Sequence, residues 1–243
     1  MRRNSGRCVR IGAAASFILC CAASTASAQY NEETRSYSPM EARFASVGAF
    51  VRDFKPRSSN TEPESLAVSY SRVMPLVGFR QGPLDAVFGY TTYDLNGASC
   101  SAIYFDVSFA GEYILAGGRA QALILPFVLD ADYQKSESSG TLQDNFNVGS
   151  IGIGTGIKYR MTGESVDFSA MAVGIIHYCF DGYSVQTGSS PAVTAEAVAI
   201  LPGVGILNGL AFGYRFRYQS WTLGNGRYDY KTVNNGVFVG VLF

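Results

Sequence analysis

Residues 147–161 read Asn-Val-Gly-Ser-Ile-Gly-Ile-Gly-Thr-Gly-Ile-Lys-Tyr-Arg-Met. Ile151, Ile153, Ile157, Tyr159 and Met161 fall on one parity, and Ser150, Gly152, Gly154, Gly156, Lys158 and Arg160 on the other. A period of two belongs to a β-strand, whose successive side chains leave on opposite faces. Glycine inside a strand weakens it, so three at alternate positions imply that space on that face is short.

The pattern recurs along the chain. In 103–115, Ile103, Phe105, Val107 and Phe109 alternate with Tyr104, Asp106, Ser108 and Ala110. In 166–180, Phe168, Ile176, Tyr178 and Phe180 oppose Asp167, Ser169, His177 and Cys179. In 210–221, Phe212, Tyr214, Phe216 and Tyr218 oppose Gly213, Arg215, Arg217 and Gln219, and 231–243 alternates Val237, Val239, Val241 and Phe243 with Gly236, Phe238 and Gly240. Ten strands are expected, over 41–52, 65–76, 84–94, 101–115, 119–135, 147–161, 166–180, 193–206, 210–221 and 231–243. Their lengths of 11 to 17 residues exceed the ~5–6 of soluble sheets and exceed or match the ~9–11 of a tilted membrane strand. Odd-numbered connections are mostly long and polar (53–64, 95–100, 136–146, 181–192, 222–230). Even-numbered ones are short (77–83, 116–118, 162–165, 207–209). Long loops at one end and tight turns at the other define an all-β, transmembrane, antiparallel up-and-down β-barrel of ten strands, with eight as the alternative because Arg72 and Pro75 interrupt the second strand. After Ala28 the most apolar stretch, 197–212, is broken by Pro202, Gly203, Gly205, Asn208 and Gly209, so no membrane helix is expected.

The composition agrees. The chain has 243 residues, 47% hydrophobic and only 16% charged, with 27 glycines and zero net charge. These values exclude a disordered chain and leave no basic excess for binding nucleic acid. The neutral total is a sum of opposites. Residues 1–28 hold Arg2, Arg3, Arg7 and Arg10 without an acid, leaving 15 basic and 19 acidic residues in the other 215. A basic start, an apolar run from Ile11 to Ala23 and the small residues Ala26-Ser27-Ala28 make a secretory signal peptide, cut after Ala28. Export through the Sec pathway follows, with a short periplasmic segment at 29–40 and the barrel at 41–243. Only Cys100 and Cys179 then remain, as a disulfide or as two semi-buried thiols. With a single histidine and no C-x-x-C, no metal and no cofactor are expected.

The last residues, from Asn234 to Phe243, resemble the β-signal of bacterial outer-membrane proteins, with Asn234, Gly236, Val239, Val241 and Phe243 at its positions. The resemblance implies insertion by the barrel assembly machinery into the bacterial outer membrane. Over 41–243 the chain is similar to small monomeric outer-membrane barrels of the OmpA/OmpX and opacity-porin type. A monomer in contact with outer-membrane lipid is implied.

Site candidates lie on the inward parity. Asp106, Asp130, Asp132, Glu196, Arg215 and Arg217 are placed in the middle or outer half, and Glu112, Lys158, Arg160 and Asp167 in the periplasmic half. Mixed signs suit cross-lumen ion pairs that plug a narrow barrel, rather than a charge-lined pore for ions or small solutes. His177-Tyr178-Cys179 is similar to the His-x-Ser pair of lipid A deacylase barrels, with Cys for Ser and Glu196 as the acid. Parity turns His177 and Cys179 into the lumen, however, away from lipid. Asp130, Asp132, Glu196 and His177 also suggest the acid pairs and histidine of an omptin-like protease acting on surface peptides. A lone histidine among mixed charges reads first as a hydrogen-bonded lumen residue, and no catalytic residue is assigned. Loops 53–64 and 136–146 offer polar surface for an extracellular ligand without a specific motif. The expected role is structural or surface-interacting.

Overall fold

A computed structural model describes residues 42–59, 68–95, 97–118, 120–137, 146–181, 188–204, 207–224 and 229–243. The expected leader (1–28), the segment 29–40 and much of loops 53–64 and 136–146 lie outside these residues. Tyr37–Phe243 form one compact unit.

Eleven strands follow in order: β1 (Arg43–Pro56), β2 (Tyr70–Gln81), β3 (Leu84–Leu95), β4 (Ala98–Gly117), β5 (Gln121–Ser136), β6 (Phe146–Thr162), β7 (Asp167–Asp181), β8 (Gly188–Pro202), β9 (Gly209–Ser220), β10 (Thr222–Leu223) and β11 (Tyr230–Leu242). Ten are staves of a closed antiparallel barrel, and the two-residue β10 extends the ladder beside Gly188 and Ser189 of β8. Each stave pairs with its sequence neighbour, and β1 closes the ring on β11 from Phe44↔Leu242 to Pro56↔Tyr230. Closure pairs the first stave with the last, the condition a lipid-embedded sheet must meet. The eight-strand alternative is excluded.

The exterior is apolar. Ile176 is 72% exposed, Ile153 67% and Val237 64%, and Val47, Leu129 and Phe127 are similarly bare. Large aliphatic side chains around a whole wall are foreign to a water-soluble surface. Tyr113, Tyr159, Phe212 and Phe243 are exposed towards the turn end, and Tyr178, Phe180 and Tyr218 towards the loop end, as two interfacial girdles require. No helix among the described residues is long and apolar enough to cross a membrane. Inward glycines make room for lumen rings: a Cβ on Gly152 would collide with the His177 imidazole, and one on Gly236 with Phe50.

The structure corrects the second strand. It spans 70–81 rather than 65–76, and the connection expected at 77–83 shrinks to Gly82 and Pro83, with Gly82 at φ 56°. Pro75 lies inside the strand, opposite Ala49 of β1. The β2–β3 ladder runs only from Leu76↔Gly89 to Gln81↔Leu84 and stops where Pro75, lacking an N–H, begins the loop-end half. Beyond it, Thr91 Oγ1 donates to the Val73 carbonyl at 2.9 Å, and Tyr70 stacks on Tyr93 at 4.3 Å between centroids. The outer connection expected at 95–100 shortens to residues 96–97, because β3 runs to Leu95 and β4 starts at Ala98. Strand β8 begins at Gly188, tolerating Pro191, so the connection expected at 181–192 also shortens.

Candidate functional site

The lumen is filled in tiers. Nearest the turn end, Lys158 Nζ lies 2.5 Å from Glu112, and Arg160 Nη1 lies 3.9 Å from the same carboxylate. Asp167 is half-buried beside them in sequence parity, with Oδ1 unpartnered.

One tier inward, two arginines clamp two acids. Arg80 Nη2 lies 2.8 Å from Glu196 and 3.0 Å from Asp85. Arg215 donates from Nε to Glu196 at 2.9 Å and also bonds Asp85. A partly open cavity of about 90 Å³ lies in this half of the barrel. Gly82 and Pro83 line it at one end, Arg217 at the other, and Val128, Val173 and Ile200 between.

The central tier is built on Arg217, which is 2% exposed. Its Nη1 lies 3.2 Å from Asp106, and its Nη2 lies 2.8 Å from Asp130 and 2.7 Å from Asp132. His177 Nε2 is 2.7 Å from Asp130 Oδ2, and its Nδ1 is 2.9 Å from the Ser190 carbonyl. Both ring nitrogens therefore face oxygens, and with Asp130 ionised both donate and the ring is imidazolium. Tyr104 donates to Asp106 at 3.0 Å, Ser150 to Asp132 at 2.6 Å, and Gln219 to Asp132 at 2.6 Å.

Above it Arg52, fully buried, donates to Gln134 at 2.5 Å, to the Tyr70 hydroxyl at 3.0 Å and to Asn234 at 3.4 Å. Gln134 in turn donates to Gln219 at 2.9 Å, tying the two tiers together. The loop end is closed by rings. Phe54 stacks on Tyr70 and Tyr230 at 5.4 and 4.8 Å, while Phe146 meets Phe54 and Trp221 edge-on at 5.0 and 5.3 Å.

The ten expected lumen charges thus all face inward, and the structure joins nine of them in ion pairs. Three further charged residues share the lumen: Arg52, Arg80 and Asp85. Arg52 follows the inward parity of Phe44 and Phe50, and Asp85 that of Val87, so alternation alone was signal enough for both. Arg80 was assigned to a turn because the strand holding it was misplaced. Counting His177 as a cation, seven positive and seven negative groups face inward among the described residues.

The acid beside His177 is Asp130. Glu196, expected in that role, is held instead by Arg80 and Arg215. Neither nitrogen of His177 bonds Cys179. Cys100 and Cys179 are buried thiols, not joined in a disulfide, in the same apolar cluster under the cap. Ligand atoms of Asp130, Asp132 and His177 converge within 4.8 Å of one another, a spacing that suits a cation. The Arg217 guanidinium already lies between the two carboxylates and supplies the positive charge there. Of the β-signal positions, Asn234 and Gly236 face the lumen, Val239 and Val241 face outward, and Phe243 stacks on Phe79 at 5.9 Å.

Closure, up-and-down order and an apolar exterior define the class: a β-barrel of the bacterial outer-membrane type. No protein-family model matches the chain, and no curated protein matches it. Among solved structures it is similar to Neisserial surface protein A, at 13% identity over 82% of this chain and 97% of that one, with a TM-score of 0.33. It is also similar to the outer membrane protease OmpT from Escherichia coli, at 10% identity over 88% and 100% of the two chains, TM-score 0.34. A third likeness is to Ail, the attachment invasion locus protein of Yersinia pestis, at 9% identity over 84% and 100%, TM-score 0.20. The class itself rests on the barrel's own ladder and surface.

Proposed function

We propose that the chain is a monomeric outer-membrane barrel whose lumen is a structural plug and whose work is done on its outside. It is a structural or surface-interaction protein, in contact with lipid along its wall and with an extracellular ligand through its loops. The burial of Arg52, Arg217, Asp130 and Asp132, each at most 5% exposed beneath a layer of rings, carries this reading. An ion crossing the lumen must break these bonds in sequence, and each unpaired buried charge costs several kcal/mol. The test is conductance of the refolded protein in a planar bilayer. A silent bilayer is expected, and defined unit openings overturn the plug in favour of a narrow pore.

The Asp130–His177 bond supports a second reading, a hydrolase acting on lipid A or surface peptides. For that chemistry His177 needs a substrate within hydrogen-bond reach, whereas its two nitrogens are already bonded and Arg217 adjoins them at 3.5 Å. An unchanged lipid A profile and unchanged peptide cleavage after His177→Ala remove this reading. Sec export, cleavage after Ala28 and insertion through the C-terminal motif complete the proposal. It expects Gln29 as the mature N-terminus and loss of insertion when Phe243 is deleted.

A further inference from the structure

Among the described residues, the outer wall carries a basic patch at the loop end of the adjacent strands β1 and β11. Lys55 on β1 faces Lys231 on β11 directly across the ladder, and both are exposed. Like charges in that position repel. Arg57 follows two residues beyond Lys55. Asp53, 2.8 Å from Lys55, is the acid of this patch. Arg57 is anchored through Thr222 Oγ1 at 2.9 Å. Among the described residues Lys231 has no ion-pair partner. Among the described residues, three cations against the Asp53 carboxylate leave the patch at about +2. On another part of the same rim, Lys135 is neutralised by Glu137 at 2.5 Å.

Height identifies the partner. Val51 and Val73, at 51% and 60% exposure, mark the apolar wall beneath the patch. Lys55 stands four residues beyond Val51, about 10 Å higher along a tilted strand, which is headgroup depth. We infer that Lys55, Lys231 and Arg57 hold the phosphorylated headgroup of an outer-leaflet lipid. The like-charged lysine pair becomes favourable once a phosphate bridges it.

The inference rests on the membrane reading and is tested separately from it. The mature chain, refolded in neutral detergent, is first checked for the heat-dependent mobility shift of a folded barrel. Binding of bis-phosphorylated lipid A, of the same lipid dephosphorylated, and of inorganic phosphate is then read by native mass spectrometry. The Lys55→Gln/Lys231→Gln variant should bind the phosphorylated lipid about 30-fold more weakly, at roughly fivefold per basic residue near an anionic lipid surface. Dephosphorylation should weaken binding to the unaltered chain similarly, and Lys135→Gln should leave it unchanged. Binding by the double variant within about twofold of the parent overturns the site, as does full displacement by inorganic phosphate. A chain without the mobility shift refutes the barrel, and the inference with it.

Discussion

Replacing Arg217 by methionine keeps the length of the side chain and removes the cation that three carboxylates share. Asp106, Asp130 and Asp132 then face His177 alone, so the tier passes from two cations against three carboxylates to one against three, an excess of two negative charges. Breaking a buried pair by removing one partner costs about 3–5 kcal/mol. The same figure follows from protons. Discharging a carboxylate of ordinary pKa, about 3.9, costs about 4 kcal/mol at pH 7 and about 1.5 kcal/mol at pH 5. The folded variant therefore holds a proton that its unfolded chain releases at pH 7, and its stability falls as pH rises. The assay is urea unfolding in lipid vesicles, followed by the fluorescence of Trp221, the chain's single tryptophan and fully buried in the cap. A loss of about 4 kcal/mol at pH 7 is expected, recovered by more than half at pH 5, with a further gain in Arg217→Met/Asp130→Asn. A loss below about 1 kcal/mol, or one that is the same at both pH values, refutes the central ion-pair tier.

Three other outcomes are expected. Pro75→Val restores a ladder donor, so amides of 70–75 and 90–95 should exchange more slowly with solvent deuterium; unchanged rates would show that proline is not what interrupts the seam. Gly152→Val drives a side chain into the His177 ring, with a loss of about 1–3 kcal/mol in the urea assay, whereas Gly118→Ala, with open space around it, should be neutral. Cys100 and Cys179 should resist a bulky thiol reagent in the folded barrel and react after unfolding; rapid labelling of the native form would contradict the closed cap.

Period-two alternation made the staves from β4 onward legible, with errors of a few residues at their ends. It failed at β2, where Arg72 and Pro75 break the pattern locally even though Met74, Leu76 and Gly78 continue it. The inward set was legible for the same reason that strands were: parity is a local property. Partnership was not. Arg217 lies 111 residues from Asp106 and 87 from Asp130, and which inward residues share a level depends on strand tilt and stagger around the ring. His177 shows the difference. Glu196 is on the adjoining strand, yet the slant of the barrel brings Asp130, two strands away, to the imidazole. The cap was hidden likewise, since its rings come from β1, β2 and β11, from β6 across the barrel and from the β9–β10 corner.

The balance of seven inward cations against seven anions has an electrical consequence. A voltage across a membrane does work on net charge, about 2.3 kcal/mol per elementary charge per 100 mV. Summed over the lumen that work vanishes, because the seven positive and seven negative groups cancel, although Arg52 is bonded only to neutral groups. The column inside the barrel can be polarised but not driven. A membrane potential therefore has no net lever on this lumen unless a residue change first upsets that seven-to-seven balance.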